Sequence, residues 1–192
     1  MALKEIVSEV YEIFTGALAS LDLLQEGFIY SNLKRLEEAG SALEGVRQGA
    51  GRLAGQQKGE FGGAYACVPS HVERVARELE RMVDALRRKA REDVLFSDKA
   101  LNEVNFMFEK TRDILSNTRD MVLARNTIIG NYLVEAEHAL GVLANDFSTR
   151  HEERLIEGLC LPKSSAVYIE LLDAFKSIAW HAKEIAVCLM KK

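Results

Sequence analysis

Only two prolines, Pro69 and Pro162, occur in 192 residues, and around them apolar side chains recur at helical spacing almost without interruption. Proline lacks a backbone N–H and clashes with the preceding helical turn, so its scarcity leaves long stretches free to be helical. No run shows the period of two that a half-buried strand needs. The fold class that follows is all-α.

The first helix carries Leu3, Ile6, Val10, Ile13, Phe14, Ala17 and Leu21, with an end blurred between Asp22 and Gly27. A second runs through Leu33, Leu36, Leu43 and Val46. Eight of the thirteen glycines then fall between Gly40 and Gly63, and "GQQKGEFGGA" reads as a flexible loop. Ser70 with Glu73 fits a capping box that opens a third helix running to about Asp93. Ser97 or Asp98 caps a fourth, striped by Leu101, Val104, Phe108, Thr111, Leu115, Thr118 and Val122. A fifth covers roughly Thr127 to Leu159, Pro162 breaks the chain, and a sixth runs from about Ser165 to the end. Six long helices joined by short connections predict an antiparallel bundle.

Totals narrow the functional classes. With 48% hydrophobic and 28% charged residues, the chain can bury a core as one domain. A net charge of −4 gives no overall pull toward nucleic acid. The opening "MALKEIVSEVYEIF" carries Lys4, Glu5, Glu9 and Glu12, so it lacks the apolar core of a signal peptide. No stretch of about 20 apolar residues predicts a membrane span. Cys67, Cys160 and Cys188 are odd in number and far apart, which argues against a disulfide framework or zinc module and suits a reducing cytoplasm. The expectation is a soluble, cytoplasmic protein.

The chain also repeats itself. Adding 96 to the third helix lands on the sixth with apolar positions in register: Val75 falls on Leu171, Leu79 on Phe175, Met82 on Ile178 and Leu86 on Ala182. Two three-helix repeats, about 1–94 and 97–192, would together form one domain.

These residues resemble a known family. Two three-helix repeats, each closing on a helix of the form L-E-R-I-G-D-x-A-x-x-I-A, are similar to the PhoU-like phosphate-uptake regulators, including the PhoU-type domains of bacterial sodium/phosphate cotransporters. The first copy here is "ELERMVDALRRKA" and the second "DAFKSIAWHAKEIA", with "HEERLIEGL" resembling the segment ahead of the family's last helix. In architecture the resemblance spans nearly the whole chain; its motifs lie over about 69–91 and 147–190. It implies a non-enzymatic cytoplasmic protein, peripheral to the inner membrane, that modulates a membrane phosphate transporter through protein contacts. Some members bind iron or zinc clusters through an E/D-x-x-x-D motif in each repeat. Glu80 and Asp84 match that motif in the first repeat, whereas Lys176 and Trp180 stand in the second, where neither a cation nor an indole can replace a carboxylate ligand.

Taken from the residues, Glu80 and Asp84 lie on one helix flank, either as ligands for a divalent or iron-group metal or as surface acids neutralised by Arg77, Arg87 and Arg88. Glu135 and His138 form half of a di-iron signature, which keeps a ferritin-like redox bundle as the alternative; their place opposite the stripe of Tyr132, Ala136, Ala139, Leu143 and Phe147 turns them toward water. A structural helical adaptor is the third reading. His151 lies on an apolar stripe, the place of a hydrogen-bonded core histidine. The run Arg87, Arg88, Lys89 and Arg91 complements its helix dipole or meets anionic lipid. In the sixth helix, Ile169, Trp180 and Val187 oppose the main stripe, so that helix is either central or contacts a partner or a second copy of the chain.

Overall fold

The computed structural model describes residues 3–55 and 65–191, and among them every regular element is an α-helix. In order these are α1 (Leu3–Ile29), α2 (Leu33–Gly55), α3 (Val68–Arg91), α4 (Asp98–Ala124), α5 (Thr127–Ile156) and α6 (Pro162–Met190). The predicted loop "GQQKGEFGGA" lies, after Gly55, outside the described residues.

Three of the turns are built alike. Ser31, Asp93 and Gly158 take φ of 47°, 52° and 72°, the left-handed region that ends helices. In each, the next amide donates back five residues: Asn32 to Gly27 at 3.0 Å, Val94 to Lys89 at 2.9 Å and Leu159 to Arg154 at 2.8 Å. Such bonds satisfy carbonyls that a helix end otherwise leaves open. They place the α1–α2, α3–α4 and α5–α6 turns at one end of the bundle.

Each helix triplet packs on itself: α1 on α2 and α3, α2 on α3, and α4, α5 and α6 on one another. Between triplets only α1–α4 and α3–α6 touch among the described residues. A constant shift relates the two halves. Adding 94 to α1's ten buried positions gives all ten of α4, from Ile6 on Ala100 to Phe28 on Val122. The same shift carries five of α2's seven buried positions onto buried positions of α5, including Leu36 on Gly130 and Leu53 on Phe147. A shift of 96 carries nine of α3's eleven onto α6. Any two amphipathic helices can be brought into phase by some shift; one value serving two consecutive helices needs matching turns as well.

At the centre, Phe108 meets Phe28 and Phe175 at ring distances of 5.9 and 4.9 Å. Burying each such side chain contributes roughly 1.5–3 kcal/mol. No helix among the described residues is long and apolar enough to cross a membrane.

Several local expectations give way. Helix α3 begins before Ser70, whose hydroxyl donates to the Cys67 carbonyl at 2.9 Å, and Glu73 pairs instead with Arg77 at 2.9 Å. The capping box fails because Pro69, which needs no amide partner, already occupies the first turn. Pro162 likewise starts α6 rather than merely breaking the chain. The glycines from Gly40 to Gly55 are helical. At Gly40 a Cβ would lie 2.5 Å from Arg87 Nη2, so its bareness admits that side chain. The buried stripe of α5 is Leu133, Leu140, Ala144, Phe147 and His151, rotated from the expected one, and Tyr132 is exposed. Ser97 does cap α4, accepting from the Ala100 amide at 3.3 Å.

Candidate functional site

The two motif-bearing helices, α3 and α6, run antiparallel against each other, and the candidate residues lie along their seam and flanks. Glu80 and Asp84 face outward into a groove of about 350 Å³ lined also by Gly40, Leu43, Val83 and Arg87. Arg47 of α2 lies 3.6 Å from Glu80, and Arg87 lies 3.7 Å from Asp84. Partial burial pushes the Glu80 carboxyl up; Arg47 opposes this, and Asp84 and Glu44 add to it. Each carboxylate therefore faces a guanidinium group at the groove. Among the described residues no group of three or more His, Cys, Asp or Glu could hold a metal. Both carboxylates are thus ion-paired on the flank of the helix.

The equivalent stretch of α6 has a different chemistry. Lys176 pairs with Asp173 of its own helix at 2.9 Å. Trp180 is 44% exposed, with the Lys183 ammonium 5.3 Å from its ring centre. Ile169 and Val187 are half-buried, and Ile169 packs against the core. Helix α6 is covered by α3, α4 and α5, and of the three expected interface residues Trp180 is the most exposed.

Glu135 and His138 are both exposed on α5, and neither points inward as a di-iron ligand must. His151 is buried, with Nε2 2.8 Å from the Ser165 hydroxyl and its ring stacked on Tyr168 at 4.3 Å. The basic run forms no open patch. Arg87 and Arg91 reach Glu37 at 2.6 and 3.3 Å, Arg88 pairs with Glu170, and the buried Lys89 donates to Ser31 at 2.8 Å beside Phe28 and Phe96.

Three features were not visible in the sequence. Cys67 and Cys188, 121 residues apart, are joined as a disulfide across the ends of α3 and α6, with Cα atoms 6.4 Å apart. This corrects the expectation of unpaired cysteines: their spacing along the chain says nothing about helix ends that an antiparallel seam brings together. It also removes cysteine usage as an argument for a reducing compartment. Cys160 alone is free. Second, His71 and His181 meet across the same seam, their Nδ1 atoms 3.0 Å apart. Third, Arg154 grips Glu103 through two bonds of 2.8 and 2.6 Å, and the Tyr168 hydroxyl donates to the same carboxylate at 2.6 Å. Only the half-turn position of Glu103 beside the α4 stripe hinted at that pair. In comparisons with known proteins, the chain matches no family model and no curated protein.

Proposed function

We propose that the chain is a non-enzymatic, PhoU-like regulator or accessory subunit of phosphate transport that acts by binding a membrane transporter or its regulatory machinery. The observation that carries the reading is the doubled helix triplet, in which the two helices bearing the family-like motifs pack together at the centre. A doubled helix scaffold is suited to presenting surfaces. On this reading the first repeat presents an ion-paired acidic flank at Glu80 and Asp84, and the second presents Trp180, a residue type that often anchors interfaces. The partner docks on the second; a second copy of the chain is the competing occupant.

The reading places the protein at the cytoplasmic face of the membrane. The Cys67–Cys188 bond pulls the other way, and mass spectrometry of protein alkylated at harvest decides it: free thiols agree with the placement, and a bonded pair contradicts it. The function itself is tested by deleting the gene and measuring uptake of labelled phosphate. Uptake that loses its normal response to external phosphate supports the proposal; an unchanged response rejects it.

A further inference from the structure

The contact between His71 and His181 calls for an explanation of its own. His71 sits in the first turns of α3 and His181 two-thirds of the way along α6, so the imidazoles project from two rigid helices that no loop repositions. Both are half-buried, and their Nδ1 atoms are 3.0 Å apart. Each imidazole carries at most one acceptor nitrogen when neutral, so two facing Nδ1 atoms must share a proton or converge on a cation. Burial lowers the basicity of both rings, for His181 to about 4, and keeps them neutral near pH 7.

The corresponding end of the same seam is packed without histidines. Under the 96-residue shift, the pair equivalent to His71 and His181 is Val167 and Ala85, both buried apolar residues. One end of the seam packs with aliphatic side chains what the other end fills with two metal-ligand side chains.

We propose that His71 and His181 form a two-histidine site for a divalent late transition-metal ion, copper(II), nickel(II) or zinc(II), bound through both Nδ1 atoms. With metal–nitrogen bonds of about 2.0–2.1 Å, a 3.0 Å separation subtends about 95° at the metal, between square-planar and tetrahedral angles. Imidazole suits these ions, and the remaining positions are filled by water, since no third His, Cys, Asp or Glu joins the pair among the described residues. In the metal-free pair, one ring donates its Nδ1 proton to the other. Binding moves that proton to Nε2 through solvent, so both Nδ1 lone pairs become available with no net proton released. Lys183 holds Glu184 at 2.6 Å, and Arg74 and Lys183 oppose a cation here while Glu184 favours it, which sets a moderate, exchangeable affinity. The site differs from the Glu80–Asp84 motif and stands whether or not the transport reading does.

Trp180, the only tryptophan, reports on it directly, with its ring 4.8 Å from His181 and 5.8 Å from His71. Copper(II) and nickel(II) quench indole emission at such range. Tag-free protein titrated with either metal under non-reducing conditions is expected to show saturable quenching at one equivalent, copper binding more tightly than nickel. The double variant His71→Val/His181→Ala copies the pair already packed at the other end of the seam and keeps the helical signal; it should weaken binding about 10-fold or more. His138→Gln should leave it unchanged. The electron paramagnetic resonance spectrum of the wild-type copper complex should show coupling to two imidazole nitrogens. Absence of saturable quenching, equal affinity in the double variant, or a copper spectrum with oxygen ligands alone would each overturn the site.

Discussion

The two ends of the α3–α6 seam correspond under the 96-residue shift, yet they hold together by different means. At one end Cys67 is bonded to Cys188; at the other the equivalent positions, Lys163 and Glu92, form an exposed ion pair at 3.5 Å. One end sets His71 against His181 beside Trp180, the other Val167 against Ala85. A similar contrast separates the halves away from the seam. Glu9 of α1 and Glu103 of α4 are equivalent under the shift of 94, and each meets an arginine from the next helix. Arg52 reaches Glu9 at 3.2 Å at the surface, whereas Arg154 and Glu103 are 9% and 11% exposed. The halves share their packing and differ in where they place polar and reactive groups, so the differences locate specialised chemistry better than either half alone.

Breaking the covalent end should have the largest effect. A disulfide closing a loop of 121 residues restricts the unfolded chain by an amount worth about 4–5 kcal/mol in the chain-entropy account. Measured against oxidised protein, in which the bond is closed, Cys67→Ser/Cys188→Ser should therefore lower Tm by roughly 10–15 °C in calorimetry, at about 2–4 °C per kcal/mol for a chain of this size. Lys163→Gln/Glu92→Gln at the other end should cost under about 1 kcal/mol. Equal costs at both ends would break the comparison.

The buried pair comes next. Arg154→Ala leaves Glu103 charged and nearly buried, which costs about 3–5 kcal/mol in denaturant unfolding. Arg52→Ala, removing the surface counterpart, should cost under about 1 kcal/mol. A difference of less than about 1 kcal/mol between them would show that burial does not separate the halves.

A smaller effect is expected from pH. Burial, then Arg154, hold the His151 imidazole below its ordinary value, while Glu103 and Glu152 act in the opposite sense. The unfolded chain then binds a proton first, so this contribution is complete above about pH 6.5 and is lost as pH falls toward the folded value. His151→Gln should flatten the Tm profile below pH 6.5, and an unaltered slope would remove His151 from the account.

Helix number and type were legible in the sequence because core stripes such as Leu171, Phe175 and Ile178 repeat over many turns. Ends were less legible. The α1 stripe continues past Asp22 because Leu24 and Phe28 keep the phase, and α2 runs on through its glycines, with Arg87 packed against Gly40 and Ile13 against Gly49. The seam contacts were not legible at all. His71–His181 and Cys67–Cys188 join residues 110 and 121 positions apart, and their pairing depends on the depth at which two antiparallel helices slide together. For Glu80 and Asp84 the acidic motif was visible, but the arginine that pairs with Glu80 comes from α2, and the equivalent of Arg47 in α5 is Gly141, which offers Lys176 nothing.

On the proposed reading, the Trp180 end of the seam meets the partner while the Lys163 end serves only the fold. Phosphate uptake in cells carrying Trp180→Ala or Lys163→Ala, at matched protein levels, tests it most directly. Trp180 is already 44% exposed, so its loss should leave stability nearly intact. The account predicts that Trp180→Ala reproduces the uptake defect of the gene deletion and that Lys163→Ala behaves as wild type. Wild-type uptake in Trp180→Ala cells, alongside a defect in the deletion, would contradict it.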